Sequence, residues 1–239
     1  MDNAIAYKDK VHLQLGVALS AEQVAALTHD IVWLEEATVN GEKVLVPVLY
    51  LAQADGRLAP NGALIMGQDV TLISGGDLAN QGTLRASGNL SASAANLGNS
   101  GLIEAAGRLD LLATDSIKNT QGGILKGRDV SLTALTGDVL NERSVTRIDS
   151  AQGNNRSWTT SVADSAARIE AAGNLDISAG RDIGNIGGIL NSGGDLSMQA
   201  GRDINLTSAE MESGQINGRR YGSQTITQLG GDISAGRDI

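Results

Sequence analysis

No other feature of this chain constrains its fold as much as a repeat of about 21 residues, built from Gly-x-x-(Val/Leu/Ile) steps. The string Asp-Ile-Ser-Ala-Gly-Arg-Asp-Ile stands at Asp176–Ile183 and again at Asp232–Ile239. Looser copies are Gly127-Arg128-Asp129-Val130 and Gly201-Arg202-Asp203-Ile204. A fixed period of this size means stacked coils, each touching only its neighbours, rather than a closed globule.

The register follows from aligning the copies. Val70, Leu90, Leu109, Val130, Leu175 and Leu196 form one apolar column. Leu72, Ala92, Leu111, Leu132, Ile177 and Met198 form the next, two residues on. A third runs through Ser74, Ala94, Ala113, Ala134, Ala179 and Ala200, and a fourth through Leu78, Leu97, Ile117, Val139, Ile183 and Ile204. The column that opens each unit reads Leu64, Leu84, Ile103, Ile124, Ile169 and Leu190. Apolar positions alternate with Thr, Ser, Asp, Asn and Gln, the period of a strand. The runs are short and separated by Gly, Asn and Asp, which turns require. These features predict an all-β, right-handed parallel β-helix from about Gly62 to Ile239, with three short strands per coil. About 6–7 coils at ~4.8 Å each give a rod of roughly 30–35 Å.

Composition fits a narrow, stacked interior. Of 239 residues 31 are Gly and 2 are Pro, and there is no Phe and no Cys. Disulfides are common in small extracellular domains, but a β-helix supplies its own ladder. Formal charge is −9, which argues against a nucleic-acid partner and against a polybasic lipid anchor. No apolar run is long enough for a membrane-spanning helix. Met1-Asp2-Asn3 begins no signal peptide, and the chain stops at Ile239 in mid-coil. We therefore expect a piece of a longer protein whose export signal lies elsewhere.

Residues 1–60 lack the repeat and are expected to form an α/β capping segment over the first coil, with residues 61–239 as the β-helix. Ser20-Ala21-Glu22-Gln23 is a capping box, and Val24, Leu27, Ile31 and Leu34 continue at helical spacing, predicting a helix over about 21–30. Thr28–Leu34 suits either a helix or a strand. Val44–Leu51 reads as a strand after an Asn40-Gly41 turn, with Pro47 at an edge. Two stretches interrupt the period, near 142–166 and 209–228. Each reads as a β-hairpin projecting from the shaft, since insertions in repeat proteins map to loops on one face.

These features resemble the haemagglutinin repeats of filamentous haemagglutinin and CdiA-like two-partner-secretion exoproteins. The coils carry Gly-x-Asp-(Leu/Ile) steps. Leu27–Leu34, followed by Val46-Pro47-Val48-Leu49-Tyr50-Leu51, is similar to the segment that opens the second haemagglutinin-repeat block. The resemblance implies a secreted, cell-surface β-helical filament that an outer-membrane two-partner-secretion transporter exports. In members that perform contact-dependent growth inhibition, it implies a segment engaged with the target cell's surface or outer membrane during delivery of a carboxy-terminal toxin.

Chemical motifs are few. His12 and His29 are the only histidines, and without Cys no conventional zinc site is expected. Gly122–Arg128 has the glycine spacing of a phosphate-binding loop, but Arg128 stands where Lys is needed and Asp129 where Ser or Thr is needed. The Gly-Gly-Asp steps lack the nonapeptide period of calcium β-rolls. No catalytic residue, metal or cofactor is expected. Two function classes remain: a shaft that displays hairpins, and a β-helical polysaccharide lyase or hydrolase. Fold does not separate them. The acids fall once per coil at turns, where they suit backbone hydrogen bonding rather than convergence on one strand face. We therefore expect a non-enzymatic adhesin-type segment. Its candidate partner contacts are Trp158, Arg219, Arg220 and Tyr221, because aromatic and Arg side chains dominate contact energies.

Overall fold

The computed structural model describes residues 17, 19, 31–39, 42–50, 64–152, 156–217 and 221–239. From Leu64 onward the chain winds as a three-sided parallel β-solenoid. The first side holds Val70–Ile73, Leu90–Ala94, Arg108–Ala113, Asp129–Ala134, Leu175–Ala179 and Leu196–Ala200. The second holds Leu78–Asn80, Leu97–Asn99, Ile117–Asn119, Val139–Glu142, Ile183–Ile186 and Ile204–Thr207. The third holds Leu64–Gly67, Thr83–Ala86, Leu102–Ala105, Ile124–Gly127, Arg168–Ala171, Ile189–Ser192 and Asp232–Ala235. On every side each strand pairs in parallel with its counterpart one coil away. Leu111, for example, lies between Ala92 and Leu132, and Leu132 between Leu111 and Ile177.

The interior is a set of apolar files. Leu109, Leu111, Leu132, Leu175 and Ile177 are buried, and Leu132 is 0% exposed. Four of the five columns read from the sequence match the observed pairings. The opening column is off by one residue in two places. Ile65, not Leu64, pairs with Leu84, and Leu125, not Ile124, stands between Ile103 and Ile169. Leu64 is 58% exposed, whereas Leu125 is 0% exposed. Both errors fall on apolar doublets, where alternation cannot choose the inward member. The neighbouring coil chooses it, because a one-residue slip turns the whole strand over.

One file is polar. Asn80, Asn99, Asn119, Asn141 and Asn185 are stacked inside the second side, each 3% exposed or less. Each Nδ2 donates to the Oδ1 of the next Asn, at 2.7, 2.8, 2.9 and 2.8 Å in turn. The amides also tie down the bend that follows. Asn80 Nδ2 donates to the Gly82 carbonyl and its Oδ1 accepts from the Gly82 N–H. Glycine is required beside this file: a Cβ at Gly123 would stand 2.5 Å from Asn119 Oδ1 and 2.6 Å from the Asn99 carbonyl. The sequence carries the signal as (Leu/Ile/Val)-x-Asn at the fourth apolar column of five successive coils.

The expected α/β cap is corrected. No described residue is helical. The helix expected over 21–30 lies outside the described residues. The described part of the head is an antiparallel hairpin, Ile31–Val39 with Glu42–Tyr50, and Thr28–Leu34 resolves as strand from Ile31 onward. The hairpin extends the first side to eight strands through parallel pairing of Leu49 with Leu72 and Tyr50 with Ile73. Trp33 lies opposite Val48 and both are buried. The β-branched and aromatic run Ile31-Val32-Trp33 favours a pleated, half-buried surface over a helix.

Both insertions are β-hairpins, as their sequences predict, and they lie side by side. Strands Val145–Gln152, Arg156–Ala163, Ala209–Asn217 and Tyr221–Leu229 form one four-stranded antiparallel sheet in that order. Both insertions leave the corner between the second and third sides, from coils two apart. Two coils rise roughly 9–10 Å, the width of two strands, so the hairpins meet edge to edge.

Candidate interaction surface

The solenoid's own acids serve its corners. At one corner Asp77 Oδ1 accepts the backbone N–H of Asn96, Asn96 that of Ser116, Ser116 Oγ that of Asp138, Asp138 that of Asp182 and Asp182 that of Asp203. This chain of side-chain-to-backbone bonds climbs one coil per step. The Gly-Arg-Asp repeats add a guanidinium clamp. Arg181 Nε and Nη2 donate to the two carboxylate oxygens of Asp138 at 2.7 and 2.6 Å, and Arg202 Nε donates to Asp182 at 2.8 Å. Arg181 holds the Asp138 carboxyl below the usual carboxylate range, and Arg202 does the same for Asp182. At a second corner Asp129 accepts from the Asn174 backbone, which lowers its titration likewise. Among the described residues, no group of three or more His, Cys, Asp or Glu is arranged to hold a metal.

The four-stranded sheet is different in kind, since both of its faces are open over much of their area. Register assigns the residues of each face. One face carries Arg147, Asp149, Thr159, Glu212 and Gln224. Arg147 Nε donates to Asp149 at 3.0 Å, Thr159 Oγ1 donates to Asp149 at 2.6 Å, and Gln224 Nε2 donates to Glu212 at 2.7 Å. Arg147 also pairs with Glu212, so the network crosses all four strands and fastens one insertion to the other. Hydrogen bonds from Thr159 and Arg147 hold the Asp149 carboxyl below its usual range. An open cleft of about 430 Å³ lies on this face, with Gly214 and Gly222 among its lining residues.

The other face presents Thr146, Ile148, Trp158, Thr160, Val162, Ser213, Gln215 and Thr225. Among the described residues its one charged side chain is Arg156, which opens its strand. Trp158 is 43% exposed and sits in an inner strand between Ser150 and Gln215. Those directly opposed neighbours are a hydroxyl and an amide, Arg156 stands two residues away on the same face, and the ring is partly open to solvent. Tyr221 opens the outer strand, its backbone paired with Asn217. Arg219 and Arg220 lie outside the described residues. Alternation and turn residues revealed the two insertions in the sequence. Their joining carried no local signal, because it depends on the spacing of two segments about 65 residues apart.

Comparison with known proteins places this architecture. The chain is 40% identical to the deoxyribonuclease CdiA of Dickeya dadantii, over the whole chain and 8% of that protein. It is 37% identical to the tRNA nuclease CdiA of Escherichia coli strain STEC_O31, again over the whole chain and 8% of that protein. The tRNA nuclease CdiA-2 of Burkholderia pseudomallei is 32% identical, over 74% of the chain and 6% of its own length. The chain thus spans less than a tenth of the curated relatives it matches. No solved structure matches it. The haemagglutinin repeat model matches residues 37–113 and 85–179, and a second hemagglutinin repeat model matches residues 148–238. Coils, corners and insertions all fall within these matches, and the chain belongs to the haemagglutinin-repeat family.

Proposed function

We propose that this chain is a segment of a secreted bacterial surface exoprotein in which the solenoid is a shaft and the four-stranded sheet is its contact surface. The segment is structural and interactive, not catalytic, so the polysaccharide lyase or hydrolase alternative falls with the family assignment. The parent exoprotein reaches the cell surface through an outer-membrane two-partner-secretion transporter. In toxin-bearing members the segment supports passage of the carboxy-terminal toxin across the target's outer membrane.

The observation that carries this reading is Trp158, a partly open indole on a face of Ser, Thr, Gln and aliphatic side chains whose single charge among the described residues is Arg156. A shaft needs no such face. Large aromatic side chains on a surface of low charge, with Arg beside them, are the usual anchors of contacts. Arg219, Arg220 and Tyr221 complete the proposed contact set. The test is made in the parent exoprotein. Trp158→Ala, Arg219→Ala with Arg220→Ala, and Tyr221→Ala are compared with the unaltered protein for attachment to target cells and for toxin entry. Loss of either with unchanged surface display supports the reading. Full attachment and full entry by all three variants would refute it.

A further inference from the structure

The projecting sheet has two edges, and they are not equivalent. The 145–152 strand includes Arg147 and Asp149, whose charges guard that edge. The 221–229 strand reads Tyr-Gly-Ser-Gln-Thr-Ile-Thr-Gln-Leu, without a charge or a proline. It pairs with 209–217 through nine consecutive residue pairs and no bulge. It is the last strand of its sheet, and residues 222–228 are all exposed. A long, flat, uncharged edge with free N–H and C=O groups is one that proteins normally shield with Lys, Pro, a bulge or a covering element. None of these devices occurs in this strand.

We propose that the free edge of 221–229 is a β-pairing surface that a second copy of this chain fills, strand against identical strand, antiparallel about Thr225. Such pairing is self-complementary under a two-fold axis perpendicular to the sheet, the commonest symmetry of homodimers. Centred on Thr225 it sets Thr225 opposite Thr225, Ser223 opposite Thr227 and Tyr221 opposite Leu229. No like charges meet, and Thr–Thr pairs favour the contact. The axis keeps corresponding faces on the same side, so the face that carries Trp158 becomes continuous over eight strands. The rival surface is the open last coil, where Ile204 and Leu206 are exposed. Its strands are only four or five residues long, and Asp195, Arg202, Asp203 and Arg237 stand at their corners. It therefore offers shorter pairing bracketed by charge.

The experiment is sedimentation equilibrium on the 239-residue chain, with amide hydrogen exchange measured at low and high concentration. The expected result is a dimer whose protection rises with concentration across residues 222–228. Thr225→Lys with Thr227→Lys should raise the dissociation constant about tenfold or more, by opposing like charges at the axis. Thr225→Val should leave the dimer intact, and circular dichroism of both variants verifies that the sheet still folds. A chain that stays monomeric at every concentration overturns the proposal. So does a dimer whose added protection falls on residues 196–207, or one that the double Lys variant leaves unchanged.

Discussion

The shaft and the sheet it carries are built from the same strands under opposite constraints. Inside the shaft a strand is held at both edges by neighbouring coils and on one face by the interior files. Its inward positions admit Leu, Ile, Val, Ala or the ladder Asn and little else. In the projecting sheet the strands are held by cross-strand pairing and by one surface network centred on Arg147 and Glu212, and most side chains reach solvent. Shaft residues are therefore fixed by packing, whereas sheet residues are free to be chosen by what they touch. An indole in the open is informative in the sheet because packing does not demand it there.

The sharpest way to break this comparison is at the centre of the polar file. Asn119→Ala removes the acceptor of Asn99 and the donor to Asn141, two buried partners at once. Each orphaned group costs about 1–3 kcal/mol, so a loss of about 2–6 kcal/mol in denaturant unfolding is expected. A loss below about 1 kcal/mol would mean the shaft tolerates polar vacancies as the sheet would. Next comes Leu132→Ala, in the apolar file between Leu111 and Ile177, with an expected cost of about 2–5 kcal/mol because stacked coils cannot collapse around the gap.

The corner ladder gives a smaller, pH-dependent effect. Asp138 and Asp182 titrate below their unfolded values, so their contribution is complete above about pH 4 and is lost as pH falls through the folded values. The melting temperature should drop on the acid side, and Asp138→Asn should flatten part of that limb. An acid limb unchanged in Asp138→Asn would remove the ladder from the account. The smallest effect is expected in the sheet. Trp158→Ala should change stability by at most about 1 kcal/mol, since the ring lies beside Ser150 and Gln215 rather than in a core. A larger loss would make Trp158 a packing residue and remove the contrast.

Much of the shaft was legible in the sequence because one period writes the same instruction many times. Leu132 is placed correctly by agreement among six coils. Leu64 and Ile124 were misplaced because an apolar doublet offers two inward candidates and only the pairing coil decides. The Asn file was legible too, as (Leu/Ile/Val)-x-Asn, but Asn between short strands reads first as a turn residue. In the head, helical spacing and β-propensity overlap at Ile31 to Leu34, so the sequence left that stretch open between helix and strand, and cross-strand pairing decides for strand. The proposed contact surface was legible only residue by residue. Trp158 stands out as one of two tryptophans, but the face around it exists only once two distant insertions are side by side.

That adjacency has a consequence for how such a rod can vary. A hairpin occupies two strand widths, and the shaft advances one strand width per coil. Insertions leaving the same corner at every second coil therefore tile without gap or overlap, as 142–166 and 209–228 do. At every coil they would jostle for the same space and splay. At every third coil they would leave a vacancy one strand wide, open to any passing chain. The shaft is in effect a ruler with a two-notch module. A single coil deleted between the insertions, such as the one that carries Ile183–Ile186 and Ile189–Ser192, would throw the two hairpins out of step while leaving every local sequence intact.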